Sequence, residues 1–197
     1  MITDDGITTA TDYNCGGARD NTSYIQCVGS ATVTDSLTVF KQDVFERHLT
    51  TMGEVVDACL ADFDGYDSLL NLVRNDTPKY GNDDDSADDV LRGVSTTLQD
   101  IVAGRPTPKG SRTIVEFLPT TCHVYFGQTM LASPNGRRAH VPLPDGISPE
   151  KGADRKGPTA VIRSAAQLDQ LRTGGALLNQ KFTPAVVAGH KGILGMS

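Results

Sequence analysis

The chain has 197 residues, 38% of them hydrophobic, with 20 glycines and a formal net charge of −6. That length suffices for one ordinary core, and the acidic balance speaks against nucleic acid as a partner, which needs a basic face to displace counterions. No apolar run reaches the length of a membrane span, and the N-terminus Met1-Ile-Thr-Asp-Asp5 is polar rather than signal-like, so a cytoplasmic protein is expected.

Residues 1–33 are rich in Gly, Thr and Asn and read as an irregular, packed loop region. Helical patterning begins with Thr34-Asp35-Ser36 as N-cap candidates, followed by the stripe Leu37, Phe40, Val44 and Phe45. Thr51 and Glu54 have capping-box spacing, and predict a second helix burying Met52, Val55, Val56, Cys59 and Leu60. A short third helix after Gly65 turns Leu69, Leu70, Leu72 and Val73 inward. The acidic run Asp83-Asp-Asp85 precedes a helix with the stripe Val90, Leu91, Val94, Leu98, Ile101 and Val102, ended by Gly104-Arg-Pro106. Residues 112–118 are β-rich, and 123–126 read as a second strand or its continuation. Turn chemistry fills 127–158, which marks a loop that is functional or packed against something. A helix over 159–171 and a strand over 176–182 complete the pattern. Helices first, then strands alternating with loops, give an α/β class.

Few residues carry chemistry on their own evidence. The run Asp83–Asp85 lacks the glycine and glutamate of a calcium loop and reads as a helix cap. Gly81-Asn82 and Ser133-Pro-Asn-Gly136 read as tight turns, with Arg137 and Arg138 as exposed neighbours. Cys15, Cys27, Cys59 and Cys122 form no C-x-x-C pair and read as reduced thiols packed as small apolar groups. The polar group Thr120, Thr121, Cys122 and His123 is the cluster to pursue, although alternation along a strand would point Cys122 and His123 to opposite faces. A satisfied buried histidine, with a threonine facing a pocket, is the reading preferred over a Cys-His nucleophile.

Five phrases occur in order: Thr77-Pro-Lys-Tyr-Gly-Asn-Asp-Asp-Asp85, Leu118-Pro-Thr-Thr-Cys-His-Val-Tyr-Phe-Gly127, Ala132-Ser-Pro-Asn-Gly-Arg-Arg138, Asp145-Gly-Ile-Ser-Pro-Glu-Lys-Gly-Ala-Asp154 and Leu177-Leu-Asn-Gln-Lys-Phe182. Together with Gly16-Gly-Ala-Arg19 they resemble the glycyl radical enzymes (pyruvate formate-lyase-like), in wording closest to the dehydratase branch. The resemblance implies part of a ten-stranded α/β barrel: an incomplete half-barrel with surrounding helices and long ordered loops. It implies a lyase that removes water from a small hydroxylated substrate such as trans-4-hydroxyproline. Alternatives are a fragment of formate C-acetyltransferase or of a glycerol or diol dehydratase, or a non-catalytic autonomous domain. The family's Leu-Pro-Thr-Thr turn falls on Leu118, Pro119, Thr120 and Thr121, which makes Thr120, Thr121 and Leu118 the expected substrate-binding residues. No catalytic residue and no metal site is expected. The family's Gly-Cys-Val-Glu phrase is absent, and Gly29 follows Cys27-Val28 where glutamate would stand. No Arg-Val-(Ala or Ser)-Gly-Tyr phrase occurs either. Residues 1–197 are therefore expected to be a fragment of the catalytic domain, without the cysteine loop or the glycyl radical domain, inactive alone and binding no cofactor of its own. The implied partners are a small-molecule substrate, a radical-SAM activating enzyme and, at full length, a second copy, in an anaerobic setting.

Overall fold

The structure, a computed structural model, describes residues 4–182. Its elements are helix α1 (Asp4–Thr9), strand β1 (Ser23–Gln26), helices α2 (Ser30–Val39), α3 (Met52–Leu60), α4 (Asp67–Asn71) and α5 (Asp85–Val102), strand β2 (Thr113–Glu116), and helices α6 (Cys122–Thr129) and α7 (Pro158–Ala165). Strands β1 and β2 pair in parallel, Ser23 opposite Thr113 and Gln26 opposite Glu116. Beyond β2, Phe117 pairs with Ala176 alone, so the strand expected over 176–182 shrinks to one bridge. All four residues of β1 are exposed, and the N-terminal region holds a strand and two short helical turns rather than a packed loop.

Helix α2 starts four residues earlier than its polar residues suggest. Thr34, Asp35 and Ser36 are mid-helix and buried, while Leu37 is 40% exposed and Phe45, in the π-helical turns that continue α2, is 65% exposed. The physical reason is that the helix supplies its own acceptors: Ser36 Oγ donates to the Thr32 carbonyl at 2.6 Å and Thr38 Oγ1 to Thr34 at 2.8 Å. These two bonds satisfy the Ser36 and Thr38 hydroxyls inside the interior, whereas Thr34 Oγ1 is buried with no hydrogen-bond partner among the described residues. Helix α3 keeps its cap, with the Glu54 N–H donating to Thr51 Oγ1 at 3.2 Å. It buries only Val55 and Ala58; Met52, Val56 and Leu60 lie on its outer side. Asp84 caps α5 by accepting from the Ser86 N–H at 3.1 Å. The segment 123–126, expected as strand, is helical in α6. Helix α7 stops at Ala165, and a short 3-10 turn at Gln170–Arg172 follows where continuous helix was expected.

Three buried groups hold these elements. Val39, Val44, Val55, Ala58, Phe63, Leu69 and Val73 join α2, α3 and α4. Val102, Val115, Phe117, Ile147, Ala165 and Leu168 join α5, β2 and α7. Tyr80 lies between α2 and α5 with Ala31, Ala87 and Leu91. Its hydroxyl donates to the Ile147 carbonyl at 2.7 Å, tying the long segment after α6 to the helices. Gly81 follows with φ of +92°, and a Cβ there would stand 2.3 Å from the Pro149 ring, so the turn admits no side chain.

Candidate functional site

The chain reverses where β2 ends. Leu118 is half-buried and Pro119 buried; Thr120 and Thr121 then emerge to solvent. The Cys122 N–H donates to the Pro119 carbonyl at 2.9 Å, which makes the two threonines the centre of a turn. Thr120 has φ of +51°, and Thr121 has φ −99° and ψ −3°. This sequence of dihedrals belongs to mirror-image turns whose first central place normally goes to glycine. A β-branched residue there is a genuine outlier. The turn lies at the carboxyl end of a parallel strand, the edge of α/β sheets where ligands commonly bind.

The next helical turn faces a cleft of about 740 Å³. His123 and Val124 line it, whereas Leu118, Thr120 and Thr121 do not. His123 Nδ1 lies 2.9 Å from the Thr120 carbonyl oxygen and 3.7 Å from Asp145 Oδ1. Cys122 and His123 are successive residues of one helix and do not face each other. The preferred reading of His123 as a satisfied histidine holds in part: its ring is hydrogen-bonded, but it is only partly buried.

The cleft floor is a buried polar cluster. Asp35 Oδ1 accepts from the Tyr80 N–H at 2.8 Å; its other oxygen is buried with no hydrogen-bond partner among the described residues. Burial pushes the Asp35 carboxyl up to about 7, against the opposing pull of Lys79 and that N–H. Burial likewise lowers Lys79, whose Nζ donates to the Asn135 carbonyl at 3.1 Å. Asn135 Nδ2 donates to Glu150 Oε1 at 3.1 Å, and Thr32 Oγ1 also donates to Glu150. Sequence reasoning missed this cluster, and in Asp35 it saw only a cap.

The segment 130–157 has no regular element, yet it is braced from within. Arg137 is not exposed: it is buried and donates to the carbonyls of Leu131, Arg138 and Val141 and to Ser133 Oγ. Arg74 forks onto the Gly136 carbonyl with Nε at 3.0 Å and Nη2 at 2.7 Å. The Gly136 N–H closes the expected turn on Ser133 at 2.9 Å. These two guanidiniums bond mainly to backbone carbonyls and brace the wall. The four cysteines are free thiols; Cys15 is exposed and the rest are half-buried. Among the described residues no group of three or more His, Cys, Asp or Glu is placed to hold a metal ion, and no helix is long and apolar enough to cross a membrane.

A family model described as pyruvate formate lyase-like matches residues 1–127, more than half of the chain. The chain belongs to the pyruvate formate lyase-like glycyl radical family. A second model, described as glycine radical, matches residues 143–197. The trans-4-hydroxy-L-proline dehydratase of Clostridioides difficile is 53% identical over 196 residues, covering 100% of this chain and 25% of that protein. The crystal structure of hydroxyproline dehydratase from Clostridioides difficile, with trans-4-hydroxy-L-proline bound, superposes with a TM-score of 0.92 over 98% of this chain and 24% of its own. The glycerol-bound B12-independent glycerol dehydratase of Clostridium butyricum superposes with a TM-score of 0.88 at 34% identity, covering 98% of this chain and 25% of its own. The chain spans about a quarter of the length of the relatives it matches. The expected family and the partial α/β barrel are thereby established, with the dehydratase branch the better match.

Proposed function

We propose that this chain forms wall and scaffold of the substrate chamber in a glycyl radical dehydratase acting on trans-4-hydroxyproline. The observation that carries the reading is the superposition at 53% identity on an enzyme crystallised with that substrate, against 34% for the glycerol enzyme. In this reading Thr120 and Thr121 contact the substrate by hydrogen bond or by packing on its ring, and Leu118 supplies an apolar edge. The radical chemistry comes from a backbone glycyl radical and a cysteine contributed by other parts of the protein, after activation by a radical-SAM enzyme. What these residues do is bind, orient and exclude water, because stray solvent quenches radical intermediates. Arg74 and Arg137 fit that task, since they brace the segment that walls the cleft.

The test joins this chain to the complementary three quarters of the Clostridioides difficile enzyme and activates the product anaerobically. Turnover of trans-4-hydroxyproline is expected, with none of glycerol or pyruvate, while the 197-residue chain alone is inert. Thr120→Ala or Thr121→Ala is expected to raise KM roughly fivefold to tenfold, the worth of one hydrogen bond. Preference for glycerol or pyruvate, or wild-type KM in both variants, would sink the reading.

A further inference from the structure

We propose that His123 is a positioning residue: its Nδ1–H, backed by Asp145, holds the Thr120 carbonyl and keeps the strained turn in the shape that presents its two hydroxyls. The inference rests on the reading of Thr120 and Thr121 as substrate contacts. Thr120 is a backbone outlier: a threonine at φ of +51° is strained, and such a conformation persists only where the surroundings over-determine it. Three described hydrogen bonds fall on this turn, one of them from the Val124 N–H to the Thr121 carbonyl at 3.1 Å. One end of the turn is closed by the Cys122 N–H on the Pro119 carbonyl, and the Thr120 carbonyl itself is taken by His123 at 2.9 Å.

The tautomer follows from the partners. A carbonyl oxygen only accepts, and so does a carboxylate, so the nitrogen facing both Thr120 and Asp145 carries the proton. Asp145 in turn is fixed, its Oδ2 accepting from Asn179 Nδ2 and its backbone carbonyl from the Ser148 N–H at 2.9 Å. Its Oδ1 is buried and has no hydrogen-bond partner among the described residues, which leaves it directed at the imidazole. The backbone repeats the connection, since the Leu143 N–H donates to the His123 carbonyl at 3.1 Å. The braced segment and the turn are thus joined at His123 from both its side chain and its main chain.

The experiment uses the joined enzyme. His123→Phe keeps the ring and removes the donor; His123→Asn places an amide N–H near the position of Nδ1. KM for trans-4-hydroxyproline is expected to rise roughly tenfold in His123→Phe, with kcat and the glycyl radical content seen by electron paramagnetic resonance unchanged, and to return to within about threefold of wild type in His123→Asn. Asp145→Asn is expected to raise KM about threefold. Nitrogen NMR of the wild-type imidazole should show the proton on Nδ1. Unchanged KM in His123→Phe, or no recovery in His123→Asn, overturns the proposal. If His123→Phe does not fold, Asp145→Asn and the tautomer decide, and wild-type KM or a proton on Nε2 overturns it. Should Thr120→Ala and Thr121→Ala leave KM unchanged, the chamber-wall reading fails instead; should they raise it while His123→Phe does not, only the positioning role fails.

Discussion

Asp35 is the residue on which folding and acidity meet most directly. It is fully buried, one oxygen has no hydrogen-bond partner among the described residues, and its folded value lies at about 7 against roughly 3.9 for a free aspartate. The native state therefore holds the proton more tightly than the unfolded chain. Stability from this group is full below about pH 4 and is lost as pH rises through about 7. Asp88, raised by burial to about 6, adds a smaller slope of the same sign. Urea denaturation should find the chain less stable at pH 8 than at pH 5, by on the order of a few kcal/mol. Asp35→Asn should remove most of that difference and be the more stable form at pH 8; a slope unchanged by the substitution would refute the assignment. In the sequence this carboxylate stood among threonines and serines and looked like a cap. Only the packing of Tyr80 and Lys79 against α2 makes it interior, and such contacts, made 45 residues apart, leave no local signal.

At the level of elements, local rules held where local groups satisfied each other. The Asp84 cap of α5 forms, and so does half of the box expected at α3: Thr51 Oγ1 accepts from the Glu54 N–H, while Glu54 Oε2 accepts from the Thr50 hydroxyl at 2.8 Å. The rules failed at α6, whose Val-Tyr-Phe run favours strand. Tertiary packing overrides that preference: Gly127 lets the helix lie against the backbone of Val141 and Pro142. A Cβ at Gly127 would stand 2.5 Å from both Pro142 Cα and the Val141 carbonyl oxygen. Gly→Ala inside a helix ordinarily stabilises by about 1 kcal/mol. Here the sign should reverse, with Gly127→Ala costing about 2 kcal/mol or more in chemical denaturation because backbone must move. Equal or greater stability in the variant would show that α6 and the segment after it are not pressed together as described.

For the molecule entire, the two strands found among the described residues are a poor basis for autonomy. Among those residues β1 pairs with β2 alone, and Tyr24 and Ile25 on it are about half exposed. The purified chain is expected to self-associate through that edge, giving polydisperse light scattering; a monodisperse monomer would count against it. The family was legible because several polar phrases with Gly, Pro and Asn at turn positions occurred in order. The cleft was not legible, since its lining gathers residues from α2, α6 and the braced segment that no spacing rule connects. The parallel register has a consequence for synthesis. Gln26 faces Glu116 across 90 positions, so β1 leaves the ribosome long before its mate exists. At roughly 5–20 residues per second the wait lasts roughly five to twenty seconds, during which Tyr24 and Ile25 lack their β2 partners and are open to a chaperone.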